Sequence, residues 1–237
     1  MSFSPILVFS ISLTITWGVY KFIGNNYALD HPDLRKRHGS SVPQIGGLVF
    51  GPLLLLIAWW LGLAPGWYLI SGLVSILLGA ADDVRHVPWQ VKLTVQLALA
   101  AYIATIFWGS FDTITFYNYS FPVTQISLLA IFLFWFIGIY NAVNLLDGLD
   151  GLAGGFMVLV CIGAALAGNG AFAQLNFVFA TLLLGFLVFN QRISKLFMGD
   201  AGSLFLGFHI AVMPLLFADS MPFSTIVHTT PFVLLAT

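Results

Sequence analysis

The chain has 237 residues, of which 59% are hydrophobic and 7% charged, and its mean hydropathy is +0.99. So few charges cannot cover a water-soluble domain, and apolar runs that are continuous rather than alternating exclude a transmembrane β-barrel. The formal net charge of −1 excludes little, because the placement of the charges carries more than their sum.

The pattern predicts an all-α, polytopic transmembrane helical bundle with about eight or nine spans, a single domain over 1–237. Runs at 4–23, 47–63, 66–81, 91–108, 125–143, 152–168, 171–189 and 203–218 end at polar or Gly/Pro breaks. The first run lacks a basic start and a small-residue cleavage site, which predicts an anchor that stays in place. A ninth run begins near Ser224 and reaches Thr237 without a polar end, so further C-terminal sequence is expected. The single Cys161, inside an apolar run, excludes an internal disulfide and reads as a small buried residue. The segment 109–124 alternates polar and aromatic residues and predicts a short hairpin or an interfacial aromatic belt on the opposite side from the charges.

If the spans alternate, all eight basic residues fall on one side: Lys21, Arg35, Lys36, Arg37, Arg85, Lys92, Arg192 and Lys195. The positive-inside rule makes that side cytoplasmic and puts the N-terminus outside. Asp30, Asp33, Asp82, Asp83, Asp147, Asp150 and Asp200 fall on the same side, Asp112 and Asp219 on the other, and there is no Glu. Acids gathered in four loops, one after every second span, predict a site at one membrane face. No internal repeat is needed to explain that spacing.

Each inner loop carries a small motif. In DHPDLRKRHGSSVPQIGG (30–47), three consecutive bases and a later Gly pair could hold a diphosphate or an anionic headgroup, or could simply set topology. In GAADDVRHVPWQVK (79–92), Asp82 and Asp83 sit where a span ends, opposing the helix dipole. Such a pair asks for a metal or a base such as Arg85, and Mg²⁺ commonly combines one or two carboxylates with phosphate oxygens; a solvated turn is the ordinary alternative.

The stretch NAVNLLDGLDGLAGG (141–155) places Asn141, Asn144 and Asp147 every three residues on one helical stripe. Asp147 and Asp150 before glycines suit plain turns. The two amides lie inside the apolar run, however, where they need partners, which favours function. In FMGDAGSLFLG (197–207), Asp200 opens a span, either as an ordinary N-cap or as a metal ligand beside backbone amides left open to phosphate. His209 and His228 read as packing or interfacial residues, and Trp59, Trp60, Trp67 and Trp108 as interfacial anchors.

In order and spacing, RKRH with P-x-x-GG, the DD pair, N-x-x-N-x-x-DG-x-DGL-x-G and MGD-x-GS-x-x-x-G resemble the polyprenyl-phosphate N-acetylhexosamine-1-phosphate transferases, glycosyltransferase family 4. The RKRH form is most similar to the undecaprenyl-phosphate GlcNAc-1-phosphate transferase branch. The resemblance implies transfer of a sugar-1-phosphate from a UDP-N-acetylhexosamine to a polyprenyl phosphate, releasing UMP and initiating cell-envelope glycans such as O-antigen. It also implies Mg²⁺ (or Mn²⁺) as cofactor. The partners implied are the two substrates and membrane lipid, with no nucleic acid and with a homodimer allowed, in the bacterial inner membrane.

By position, the resemblance makes Asp82, Asp83 and Asp147 catalytic, Asn144 and Asp200 metal ligands, and Lys36, Arg37 and Asp150 substrate contacts. The family's histidine-rich inner loop has no counterpart among the five histidines, so weak or no activity is expected of these 237 residues alone. Two other classes fit less well. An aspartate-rich intramembrane prenyltransferase would show paired D-x-x-x-D motifs, and a Mg²⁺ or anion transporter would carry charges in mid-span or on both faces.

Overall fold

The structure, a computed structural model, describes residues 4–23, 29–30, 42–110, 113–116, 119–122, 124–148, 151–193 and 196–220. Among the described residues there are eight α-helices: α1 Pro5–Ile23, α2 Gly47–Leu61, α3 Gly66–Arg85, α4 Trp89–Ile106, α5 Gln125–Leu146, α6 Leu152–Ala167, α7 Gly170–Val188 and α8 Gly199–Ser220. Five of them, α1, α3, α5, α7 and α8, are long and apolar enough to cross a membrane, and α2 and α6 are shorter apolar helices. The chain is thus an all-α, multi-pass membrane bundle.

Each helix matches a predicted span, with shifts where polar residues were read as breaks. α3 runs on through the acidic pair to Arg85, and α5 runs on to Leu146. A π-helical turn at Phe189–Ile193 and two short antiparallel ladders complete the elements among the described residues. β1 (Leu29–Asp30) pairs with β2 (Val42–Pro43), and β3 (Thr113–Phe116) with β4 (Tyr119–Pro122), which is the hairpin expected between α4 and α5.

Helix α8 is the axis of the bundle: 83% of its apolar window is buried, against 17% for α1 and for α5. Lipid offers little hydrophobic drive between helices, so close approach at small residues has to supply the packing. That is what surrounds α8. A side chain at Gly47 of α2 would run into the Gly202 backbone, one at Gly79 of α3 into Asp200 and Ala201, and one at Gly207 into the Tyr140 backbone of α5. Below this small-residue layer the core is aromatic, with Phe50, Phe179, Phe186, Phe205 and Phe208 in tilted and stacked contacts.

One polar chain crosses the core. Buried His209 of α8 lies between Tyr68 of α3, whose Oη is 2.7 Å from Nδ1, and Asn176 of α7, whose Oδ1 is 3.1 Å from Nε2. Asn176 spends its own Nδ2 on the Phe172 carbonyl, so its Oδ1 accepts, and His209 must carry its proton on Nε2. His209 is therefore a packing residue, as expected. Trp59, Trp60 and Trp108 are exposed as anchors should be, but Trp67 is buried against Tyr68 and Phe107.

Candidate active site

The start of α8 is built from outside. Phe197 donates its backbone N–H to the Pro43 carbonyl, and the Phe197 and Met198 carbonyls accept from Gly46 and Gly47 at 3.0 and 2.8 Å. The glycine end of the first motif is thereby zipped to the fourth. Gly199 follows with φ +70°, a left-handed conformation suited to glycine, and a side chain there would meet the Asp83 carboxylate.

Asp83 occupies that space. Its Oδ1 accepts the Asp200 N–H at 2.7 Å and its Oδ2 accepts the Ala201 N–H at 3.1 Å, so a carboxylate at the end of α3 caps the first turn of α8. This corrects the expectation that those amides stand open to phosphate. It also corrects the reading of Asp200 as an N-cap: Asp200 lies inside the first turn, and the capping carboxylate comes from another helix.

Asp82, one residue earlier and buried, takes different partners. Its Oδ2 pairs with the Lys92 ammonium at 2.6 Å and its Oδ1 accepts the Val87 N–H at 2.6 Å. The left-handed turn at His86 (φ 48°) brings that N–H round. The counter-charge that the acidic pair requires is thus Lys92, one turn into α4, and not Arg85, which is exposed. Sequence reasoning missed Lys92 because a nearer base stood in the same loop.

The Asp82 and Asp200 carboxyls lie within hydrogen-bonding reach of each other. Two carboxylates that close repel unless a proton or a cation lies with them. Asn144 of α5 joins the same cluster: its Nδ2 donates to Asp200 Oδ1 at 2.8 Å and to buried Ser203 Oγ at 2.7 Å. Three helices therefore meet at Asp82, Asn144 and Asp200, the convergence the sequence predicted.

Asn141, on the same stripe, serves packing. It exchanges amide hydrogen bonds with buried Gln96 of α4 at 2.8 and 3.3 Å and donates to the Ile137 carbonyl. Gln96 is a second residue that the sequence reading passed over. Its signal is the spacing from Lys92: four residues apart on α4, the two share a helical face.

Asp147 ends α5 half-buried, three residues from Asn144 and with its N–H on the Asn144 carbonyl. Lys36, Arg37 and Asp150 lie outside the described residues. Among the described residues no three His, Cys, Asp or Glu side chains form a ready metal cage. The oxygen donors at the cluster are of the kind that a hard divalent cation takes.

A probable undecaprenyl-phosphate N-acetylglucosaminyl 1-phosphate transferase of Bacillus subtilis is 34% identical over 203 residues, covering 80% of this chain and 55% of the relative. An undecaprenyl-phosphate alpha-N-acetylglucosaminyl 1-phosphate transferase of Thermotoga maritima is 28% identical over 223 residues, covering 94% of the chain and 68% of the relative. A phospho-N-acetylmuramoyl-pentapeptide-transferase of Streptococcus pyogenes serotype M49 is 34% identical over 215 residues, covering 77% of the chain and 62% of the relative. The chain thus spans little more than half the length of the Bacillus relative. The profile of glycosyl transferase family 4 matches residues 66–218, which takes in α3 with its acidic pair, the amide stripe of α5 and the first turn of α8. By that match, which spans well over half of its length, the chain belongs to glycosyl transferase family 4.

Proposed function

We propose that this chain carries the catalytic cluster of a sugar-1-phosphate transferase, which moves N-acetylhexosamine-1-phosphate from a UDP-sugar to a polyprenyl phosphate of the undecaprenyl type and releases UMP. The work is done at the cytoplasmic face of the bacterial inner membrane and begins a cell-envelope glycan. The observation that carries the reading is the meeting of Asp82, Asn144 and Asp200, with Lys92 alongside, where three helices end or begin. The names of the relatives support the acceptor lipid and the transferred group.

In this reaction an oxygen of the lipid phosphate forms a bond to the β-phosphorus of the UDP-sugar. The bond from that phosphorus to the bridging oxygen breaks, and its electron pair leaves with UMP. Most catalysis of phosphoryl transfer is positioning and charge neutralisation. A lipid phosphate is largely ionised at neutral pH, since its second pKa is about 6, so Asp82 has little proton abstraction to perform.

The donor set fits Mg²⁺, with Mn²⁺ as a substitute: Asp200 and the amide oxygen of Asn144 would hold it, beside Asp82. When bound, the ion neutralises diphosphate charge and stabilises departing UMP. Lys92, held by Asp82, adds a fixed positive charge at the same place. Asp83 keeps the first turn of α8 seated so that Asp200 faces the cluster. Asp147 stands as a further carboxylate of the reaction. By family likeness, Lys36 and Arg37 contact phosphate or nucleotide and Asp150 contacts uracil.

Incubating radiolabelled UDP-N-acetylhexosamine with membranes that carry the full-length protein separates the classes of activity. Sugar-1-phosphate transfer yields a labelled lipid and UMP. A prenyltransferase would release free diphosphate, and a transporter would form neither product, and either result would refute the proposal.

A further inference from the structure

Asn144 is a primary amide, with two hydrogens to give and one oxygen to offer. Both hydrogens are committed, one to Asp200 Oδ1 at 2.8 Å and one to Ser203 Oγ at 2.7 Å. That leaves Oδ1 as the atom available to a ligand. The opposite orientation of the amide would set Oδ1 against an Asp200 carboxyl oxygen and leave Ser203 Oγ without that amide hydrogen.

A cation changes that balance. Once a divalent ion takes up the charge of Asp200, the carboxylate holds the amide hydrogen less firmly, and Ser203 becomes the remaining anchor. Ser203 is well placed for this: it is fully buried on α8, one turn from Asp200 on the same helical face, in the small-residue layer where Gly47 and Gly202 bring backbones together.

We propose that Ser203 is a positioning residue for the divalent-cation site: by accepting one Asn144 amide hydrogen it keeps Asn144 Oδ1 turned to the ion. This rests on the cation reading given under Proposed function. In this role Ser203 acts through Asn144.

The test is direct binding of Mn²⁺, followed by electron paramagnetic resonance on the purified protein, independent of turnover. Ser203→Ala should weaken Mn²⁺ binding about tenfold and Asn144→Ala by at least as much, while Ser203→Thr, which keeps the hydroxyl, should stay close to wild type. A second background tells orientation from general support. A carboxylate presents an acceptor whichever way it turns, so in Asn144→Asp protein the Ser203→Ala change should leave Mn²⁺ affinity unchanged. Equal weakening in both backgrounds, or wild-type affinity in Ser203→Ala alone, overturns the proposal. If wild-type protein binds no Mn²⁺, or Asn144→Ala binds it normally, the cation reading itself fails and takes the Ser203 role with it.

Discussion

Asp83 binds the backbone of Asp200, not its side chain, with 2.7 Å between Oδ1 and the amide nitrogen. Two adjacent aspartates thus have separate tasks. Asp82 faces Lys92 and the Asp200 carboxyl, whereas Asp83 satisfies amides that the start of α8 cannot satisfy itself. The unfavourable end of one helix dipole is thereby joined to the favourable end of another.

Removing that carboxylate should loosen α8. Hydrogen bonds to charged groups contribute about 1.5–3 kcal/mol, so Asp83→Ala should cost about 2 kcal/mol in detergent-solubilised protein, and Asp83→Asn, which keeps one acceptor, less. Thermal unfolding by circular dichroism measures this, and unchanged stability in Asp83→Ala would contradict the capping role.

The small-residue layer makes a contrasting prediction. Gly79→Ala drives a methyl into the Asp200 and Ala201 backbone, where nothing flexible can give way, and should cost about 1–3 kcal/mol or more. Gly155→Ala, in α6 with open space around it, should stabilise by up to about 1 kcal/mol through helix propensity. The same unfolding measurement ranks the two, and equal effects would argue against close packing of α3 on α8.

The Gln96–Asn141 exchange ties α4 to α5. Interhelical hydrogen bonds in membranes average about 0.6 kcal/mol and reach about 1.7, because the unfolded chain also finds partners. A double-mutant cycle with Gln96→Leu and Asn141→Leu should return a coupling in that range. Additive single effects would show that the two amides do not meet.

The buried polar chain offers a fourth test. His209→Phe keeps the ring but strands Tyr68 Oη and Asn176 Oδ1, at a cost of about 1–3 kcal/mol for each buried group left unpaired. Adding Tyr68→Phe and Asn176→Leu should recover much of the loss, as an apolar replacement of the whole chain is less costly than a broken one. Failure to recover would mean that size, not hydrogen bonding, dominates at His209.

The sequence made much of this legible, for physical reasons that also mark where it stopped. Apolar runs report burial in lipid, so each of the first eight spans found its helix, while the run from Ser224 lies outside the described residues, and the polar–aromatic alternation of 109–124 became the β3–β4 hairpin. Helix ends shifted at Asp82 and Asp83 because charge was read as a break, whereas a carboxylate with a partner can stay helical. The meeting of Asp82, Asn144 and Asp200 followed from motif order. The partners that settle their roles did not: Lys92 lies ten positions beyond Asp82 on another helix, and the amides that Asp83 caps lie 117 and 118 positions away. A single sequence carries no signal for such pairings, so Asp83 read as a twin of Asp82, and Asn141 as a twin of Asn144.

The most direct measurement follows the β-phosphorus. Membranes containing the full-length protein, given undecaprenyl phosphate, Mg²⁺ and UDP-N-acetylglucosamine labelled with ³²P at the β-position, should move the label into the lipid fraction and release unlabelled UMP. The Asp200→Asn variant should abolish that transfer. Label recovered in water-soluble UDP while sugar enters the lipid would mean that the sugar travels without its phosphate. Transfer undiminished in Asp200→Asn would mean that the cluster of Asp82, Asn144 and Asp200 is not where the reaction happens.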